Sequence, residues 1–187
     1  LFVAIQAVVS AGDEVIVFDP AYDAYDPAVR LAGGKVVHLP LITPEFVIDF
    51  QRLQESISNK TRAIVINSPH NPTGAVLSLD DIQQLARIIE SKNIYIVADE
   101  VYEHMTYDGR SHESLCRNEV LKEKTFVISS FGKTYHATGW KVGYCLAPAA
   151  LTFEFRKIHQ FVTFTTHTPS QWAIADFLEN HPEHHQE

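Results

Sequence analysis

Several features that mark specialised proteins are scarce or missing in this sequence. Its 187 residues include only two cysteines, Cys116 and Cys145, and no apolar run long enough to span a bilayer. The first residues do not show the charged and then apolar pattern of a signal peptide. We therefore expect a cytoplasmic protein in which both thiols are free, with no membrane partner.

Basic residues are also few. The chain has 15 lysines and arginines against 23 aspartates and glutamates, which gives a formal net charge of -8. Nucleic acids and anionic membrane surfaces bind to basic faces, so this charge argues against both as partners. Hydrophobic residues make up 45% of the chain, as in ordinary globular domains. A small molecule is the more suitable ligand for such a protein.

Apolar runs rich in Val and Ile alternate with helix-like segments along the chain. The clearest helix is SLDDIQQLARIIESKN, where Ser78 can cap the N-terminus and one apolar face comprises Ile82, Leu85, Ala86, Ile88 and Ile89. Strands are predicted at Glu14–Phe18, Val36–Leu39, Ala63–Asn67, Ile94–Asp99, Thr125–Ser129 and Val142–Ala147. This alternation predicts an α/β fold, with a mostly parallel sheet covered by helices on both faces. No repeat or linker divides the chain, so we expect one domain over residues 1–187.

Polar stretches follow four of the predicted strands. They read DPAYDAY, NSPHNPTG, DEVY and SSFGK, and ligands of parallel sheets bind beyond the carboxyl ends of the strands. Each stretch alone also has an ordinary explanation as a turn, a cap or a surface charge. Together with the basic residue that follows them, they supply phenols, an amide, a carboxylate, a hydroxyl and two amines: Tyr22, Asn71, Asp99, Tyr102, Ser130, Lys133 and Lys141. This set suits a planar, phosphorylated, heteroaromatic aldehyde.

The neighbours of these candidates have simpler expected roles. Asp99 ends an apolar strand and needs a cation or hydrogen-bond donors, whereas Glu100 and Glu103 are expected to be solvated or bonded to loop backbone. A phosphate loop of the Walker type is excluded, because Val127 stands where the pattern GxxxxGK[ST] requires glycine. The histidines near the end, His181, His184 and His185, lie in a charged tail, and we expect no metal site there.

The order of the motifs carries a family resemblance. PxYxxY, NxPxNPTG, DExY and SxxK, followed by Lys141 and a GY pair, resemble the fold-type I pyridoxal-phosphate enzymes and, among them, the class I and II aminotransferases. The stretch SSFGKTYHATGWKVGYCLAP looks most like the branch that holds kynurenine, glutamine and methionine aminotransferases. The resemblance implies the large cofactor-binding domain of that fold, an α/β/α sandwich, and pyridoxal 5'-phosphate as the cofactor.

The resemblance also implies a role for each candidate residue. Lys133 would form a Schiff base with the cofactor and, once freed by the substrate amine, would move the substrate's α-proton. The other implied roles are pairing with the pyridine nitrogen (Asp99), bonding the phenolic oxygen (Asn71 and Tyr102), stacking on the ring (Tyr22) and holding the phosphate (Ser130 and Lys141).

The implied activity is transfer of an amino group from an L-amino acid to a 2-oxo acid, by a homodimer. The resemblance further implies that the chain is truncated at both ends. The arginine that binds the substrate carboxylate would then lie beyond residue 187, and we expect little turnover from residues 1–187 alone. Two alternatives stay open at this point: a pyridoxal-phosphate-dependent C–S β-lyase on the same fold, and a non-catalytic effector domain that binds the cofactor.

Overall fold

A six-stranded sheet forms the centre of the protein. The computed structural model describes residues 1–184. The strands are β1 (Glu14–Asp19), β2 (Lys35–Pro40), β3 (Thr61–Asn67), β4 (Tyr95–Asp99), β5 (Thr125–Ser130) and β6 (Gly143–Leu146). Their order across the sheet is β2-β1-β3-β4-β5-β6, and all neighbours are parallel except β5 and β6, which are antiparallel. All six predicted strands and the mostly parallel sheet are thus confirmed.

Among residues 1–184, seven α-helices precede, connect or follow the strands. They are α1 (Phe2–Val8), α2 (Tyr25–Leu31), α3 (Phe50–Ser56), α4 (Leu79–Ile89), α5 (Phe131–Thr134), α6 (Ala149–Val162) and α7 (Thr168–Asn180), among residues 1–184. Short 3-10 turns occupy Leu115–Arg117, Leu121–Glu123 and Thr138–Trp140. Within this described part of the chain, none of the helices combines the length and apolar character needed to cross a membrane.

The helices cover both faces of the sheet, as the alternation of strands and helices predicts. Successive residues of a strand point to opposite faces, and the buried residues divide accordingly into two clusters. Ile64 and Ile66 of β3 pack in the cluster that contains residues of α3 and α4. Ala63 and Val65 pack in the cluster that contains residues of α1, α2 and α6. Because both faces are buried, the central strands read as continuous apolar runs.

Helix α4 begins where its sequence predicts. The Ser78 hydroxyl accepts a hydrogen bond of 3.2 Å from the backbone N–H of Asp81, and the Asp81 carboxylate accepts one of 2.8 Å from the backbone N–H of Ser78. This reciprocal capping box satisfies two backbone donors that the helix itself cannot satisfy. It fixes the start of α4 at Leu79, and four residues separate Leu79 from Gly74, where the NSPHNPTG loop ends.

Candidate functional site

A cleft lies at the carboxyl ends of the central strands. It is lined by Tyr22, Tyr25, Asn67, Asn71, Asp99, Val101, Tyr102, Ile128, Ser129, Ser130 and Lys133. Six of the seven candidate residues from the sequence therefore converge here. Lys141 is the exception, because it is not among the residues that line the cleft.

Strand register brings these residues together. Asn67 at the end of β3 lies beside Asp99 at the end of β4, and Asp99 lies beside Ile128 of β5. The loops that leave these parallel strands therefore start from one edge of the sheet. Residues separated by tens of positions in the sequence become neighbours at that edge.

The Asp99 carboxylate lies partly buried in the cleft. Its Oδ2 accepts a hydrogen bond of 2.8 Å from the Tyr25 hydroxyl, and the backbone N–H of Val101 donates to its Oδ1 at 3.4 Å. No lysine, arginine or histidine among residues 1–184 forms an ion pair with it. Burial raises the pKa of Asp99, while the Tyr25 hydrogen bond acts in the opposite direction. A cation bound in the cleft would stabilise the ionised carboxylate.

Asn67 links the ends of β3 and β4 to the NSPHNPTG loop. Its side-chain amide donates a hydrogen bond of 2.8 Å to the backbone carbonyl of Asp99, and its Oδ1 accepts one of 2.7 Å from the backbone N–H of Asn71. The backbone N–H of Ser68 also donates to the Asp99 carbonyl, at 3.2 Å. These bonds hold Asn71 and Asp99 in a fixed relationship on the wall of the cleft.

Lys133 and two tyrosines form the remaining functional surface. The Lys133 Nζ lies 5.7 Å from the centre of the Tyr102 ring, within cation–π distance. Tyr22 is 46% exposed and meets the buried Tyr25 edge to face, with ring centres 5.7 Å apart. The cleft therefore presents an exposed aromatic face and an amine on its walls.

Ser130 and Lys141 occupy different settings, although the family resemblance implies a phosphate-binding role for both. The Ser130 hydroxyl caps the short helix α5 by accepting a hydrogen bond of 3.0 Å from the backbone N–H of Gly132, in the wall of the cleft. Lys141 is exposed and follows the 3-10 turn Thr138–Trp140 with a left-handed backbone, at φ 55°. Its assignment to the phosphate stays a prediction.

Glu100 and Glu103, the two glutamates that follow Asp99, form side-chain hydrogen bonds that the sequence does not predict. Glu100 is 2% exposed and accepts a hydrogen bond from the backbone N–H of Leu115 at 3.0 Å, as a loop-backbone role requires, and it also contacts His112 Nε2 at 2.8 Å. Glu103 differs from its expected role. It accepts a hydrogen bond of 2.6 Å from the Ser129 hydroxyl and a second from the Tyr144 hydroxyl. Both carboxylates therefore brace the loop that follows β4.

The histidines of the C-terminal tail are only partly described. His181 and His184 belong to the described part of the chain, whereas His185 lies outside the described residues. Within residues 1–184, no three His, Cys, Asp or Glu side chains are grouped as metal binding would require.

Tyr25 and Asn67 are the functional residues that sequence reasoning missed. Tyr25 is the second tyrosine of PxYxxY, three positions after Tyr22, and Asn67 is the last residue of a strand that is otherwise apolar. Each places a polar group at a position that faces buried surroundings, and a polar group that is buried in this way needs a hydrogen-bond partner. That need was the signal in the sequence that could have identified both residues. Their partners could not be identified before strand order was known.

Comparisons with known proteins identify the family of this chain. The family model described as aminotransferase class I and II matches residues 1–187. The methionine aminotransferase of Escherichia coli is 46% identical over 185 residues, which cover 99% of this chain and 48% of that protein. Human kynurenine–oxoglutarate transaminase 1 is 36% identical, over 96% of this chain and 45% of that protein. The chain thus spans about half the length of these relatives.

Solved structures show the same fold. An Escherichia coli protein described as having a methionine aminotransferase function superposes with a TM-score of 0.96 at 46% identity, over 99% of this chain and 49% of that one. Aspartate aminotransferase from Thermus thermophilus with maleate gives a TM-score of 0.91 at 36% identity, over 99% of this chain and 48% of that one. The sheet and the helices described above are therefore those of a known enzyme fold.

Proposed function

This chain belongs to the class I and II aminotransferases, and we propose that the protein transfers an amino group from an L-amino acid to a 2-oxo acid with pyridoxal 5'-phosphate as its cofactor. One observation carries the proposal. Lys133, Asp99, Asn71 and Tyr102 come from separate elements of the chain and line a single cleft. The names of the relatives favour amino transfer, so the β-lyase and effector-domain alternatives are not favoured.

The chemistry of the cleft fits this cofactor. Asp99 is a partly buried carboxylate whose pKa is raised by burial, and no lysine, arginine or histidine within residues 1–184 forms an ion pair with it. A protonated pyridine nitrogen would supply the missing positive charge. The exposed face of Tyr22 suits a flat ring, and the amides and hydroxyls around it suit its polar substituents. When bound, the cofactor supplies an electron sink for the charge left at the substrate's α-carbon.

Each of the seven candidate residues has a defined part in this proposal. Asp99 would hold the cofactor at its ring nitrogen, Asn71 and Tyr102 at the phenolic oxygen, and Tyr22 along the ring face. Ser130 and Lys141 would hold the phosphate, with Lys141 acting as a point charge. The Lys133 amine would anchor the cofactor and then accept the substrate's α-proton and return it at a different carbon, as a general base and acid.

Two further statements belong to the proposal and rest on the sequence alone. The family resemblance supports a homodimer, and the scarcity of cysteine supports a cytoplasmic location. Sedimentation of the full-length protein and its fractionation from cells test the two statements separately.

Covalent labelling tests the cofactor assignment directly. The full-length protein is incubated with pyridoxal phosphate, reduced with borohydride, digested and mapped by mass spectrometry. We expect one adduct, on the peptide that contains Lys133, and none in Lys133→Ala. Lys141→Ala is the matched control and should keep the adduct on Lys133. An adduct on Lys141, or one that survives in Lys133→Ala, would contradict the assignment.

A panel of amino donors then tests the reaction. L-methionine and L-kynurenine, suggested by the names of the relatives, are supplied with 2-oxoglutarate, and glutamate formation is measured. Amino transfer consumes one oxo acid for each amino acid. Release of ammonia and a thiol from a cysteine conjugate, without glutamate, would instead identify a β-lyase.

A further inference from the structure

A second cavity lies beside the cofactor cleft. It has a volume of about 380 Å³, within the range of about 300–1,000 Å³ that is typical of small-molecule sites. Tyr25 and Asn67 line both spaces and form a shared wall. A molecule in the second cavity would therefore contact the same side chains that hold Asp99 and Asn71.

Apolar side chains from four parts of the fold form most of this cavity. They are Phe18 of β1, Leu41, Phe46, Val47 and Ile48 after β2, Val65 and Ile66 of β3, and Val76 and Leu77 before α4. This lining suits a hydrophobic group. The ionisable residues of the lining, apart from Tyr25, are Glu45, His70, Asp81 and Arg110.

Two of these ionisable residues already form side-chain hydrogen bonds within the protein. Asp81 accepts hydrogen bonds from the backbone and the hydroxyl of Ser78 in the cap of α4, at 2.8 and 2.7 Å. His70 Nδ1 lies 2.7 Å from the Thr73 hydroxyl, and burial lowers the pKa of His70, so its ring is neutral at neutral pH. His70 therefore supplies no charge to a ligand, and the Oδ2 of Asp81 is occupied by the cap of α4.

Glu45 and Arg110, the other two ionisable residues, have side chains that are available to a ligand. Both are exposed, and the side chain of neither forms a hydrogen bond or an ion pair with any residue from 1 to 184. The cavity therefore combines apolar walls with one carboxylate, Glu45, and one guanidinium, Arg110, that form no side-chain hydrogen bond or ion pair among residues 1–184. This is the complement of a zwitterion that carries a hydrophobic group.

We propose that the second cavity binds a free α-amino acid with an apolar side chain. The side chain lies among the apolar walls, the ammonium faces Glu45 and the carboxylate faces Arg110. This binding does not require amino transfer, because neither rim residue lines the cofactor cleft.

The probe for the experiment is N,N-dimethyl-L-phenylalanine. Its tertiary amine keeps both charges of an amino acid but cannot condense with an aldehyde, so the cofactor does not consume it. Binding is measured by titration calorimetry on the full-length protein loaded with pyridoxal phosphate. Glu45→Gln and Arg110→Gln should each weaken binding about tenfold, since each removes one charge-assisted contact. Glu179→Gln and Arg87→Gln, at exposed positions outside the cavity, are the matched controls and should bind as the unaltered protein does.

A second, independent test fills the cavity by substituting a larger side chain in its lining. Val76→Phe should abolish binding, and Ala75→Leu, at another residue of the lining, serves the same purpose if the larger substitution prevents folding. Tyr102→Phe alters the cofactor cleft alone and should leave binding intact. The proposal is overturned if the probe does not bind at millimolar concentration. It is equally overturned if Tyr102→Phe abolishes binding while Val76→Phe and the two rim variants retain it, because the probe would then lie in the cofactor cleft.

The same titration on protein without pyridoxal phosphate separates this proposal from the proposed function. Because the second cavity is formed by the chain alone, the probe should bind there whether or not the cofactor is present. Probe binding to a protein that shows no amino transfer even when supplied with pyridoxal phosphate would support the cavity proposal while the proposed function fails. Loss of binding in both forms of the protein would overturn the cavity proposal and leave the proposed function unaffected.

Discussion

The hydroxyl of Tyr25 donates a hydrogen bond of 2.8 Å to Oδ2 of Asp99, across 74 positions of sequence. Tyr25 is 3% exposed, so its hydroxyl has little water to bond instead. The bond joins the first turn of α2 to the end of β4 and orients the carboxylate in the cleft. It also opposes the rise in the pKa of Asp99 that burial causes.

Tyr25→Phe removes this hydrogen bond and keeps the ring. We expect the variant to bind pyridoxal phosphate about tenfold to a hundredfold more weakly, because a hydrogen bond to a charged group contributes about 1.5–3 kcal/mol. We also expect a further rise in the pKa of Asp99, measurable by NMR of the carboxyl carbon without cofactor. Tyr107→Phe is the control, since Tyr107 is 75% exposed and lies outside the cleft. An unchanged pKa in Tyr25→Phe would refute the role of the bond.

Asn67→Ala should destabilise the protein and loosen the cofactor cleft. It leaves the Asp99 carbonyl with one fewer donor and the Asn71 N–H without its acceptor. Unsatisfied polar groups of this kind cost about 1–3 kcal/mol. Urea unfolding measures the loss, and Asn59→Ala, at an exposed loop position, provides the comparison. Equal stability of the two variants would show that the Asn67 bonds contribute nothing net.

Lys124 stabilises the C-terminal end of α4. Its ammonium donates to the carbonyls of Ile89, Glu90 and Lys92 at 2.9, 2.8 and 2.7 Å, and the first two carbonyls lie at the negative end of the helix dipole. Lys124→Met should lower the free energy of unfolding by about 1–3 kcal/mol. Lys60→Met, at an exposed position, is the control for loss of one positive charge. The prediction fails if both variants melt at the same temperature.

His38 makes stability depend on pH. Its ring contacts the Asp19 carboxylate at 3.1 Å and the Asp26 carboxylate at 3.2 Å, and the Asp19 contact is the main reason that the pKa of His38 lies above its ordinary value of 6.5. The folded protein therefore binds this proton more tightly than the unfolded chain does. The resulting stability is fully present below pH 6.5 and is lost as the pH rises through the folded pKa.

His38→Gln should remove that dependence. Because the ring and its partners are substantially exposed, we expect an effect below about 1 kcal/mol. Unfolding free energies are compared between the protein and the variant across this pH range, and their difference should shrink as the pH rises. His167→Gln is the control, because His167 contacts the Ser170 hydroxyl instead of a carboxylate. A difference that grows with pH would reverse the sign and contradict the prediction.

The central strands were predictable from the sequence for a definite reason. β3 and β4 are buried on both faces, so Ala63–Ile66 and Ile96–Ala98 are continuous apolar runs that end in Asn67 and Asp99. The start of α4 was also predictable, since a capping box is a local pattern. Lys141 shows the limit of such reasoning, because motif order does not specify whether a side chain reaches the cleft.

By itself, the sequence determined the strands, the capped helix and the set of chemical groups at the strand ends, because these depend on residues close together in the chain. Only the tertiary structure decided which groups meet. Strand order and register place Asn67 beside Asp99, and the packing of α2 brings Tyr25 to the same carboxylate. The second cavity likewise forms because segments from separate parts of the chain pack around one space. No pattern of neighbouring residues in the sequence predicts such a space.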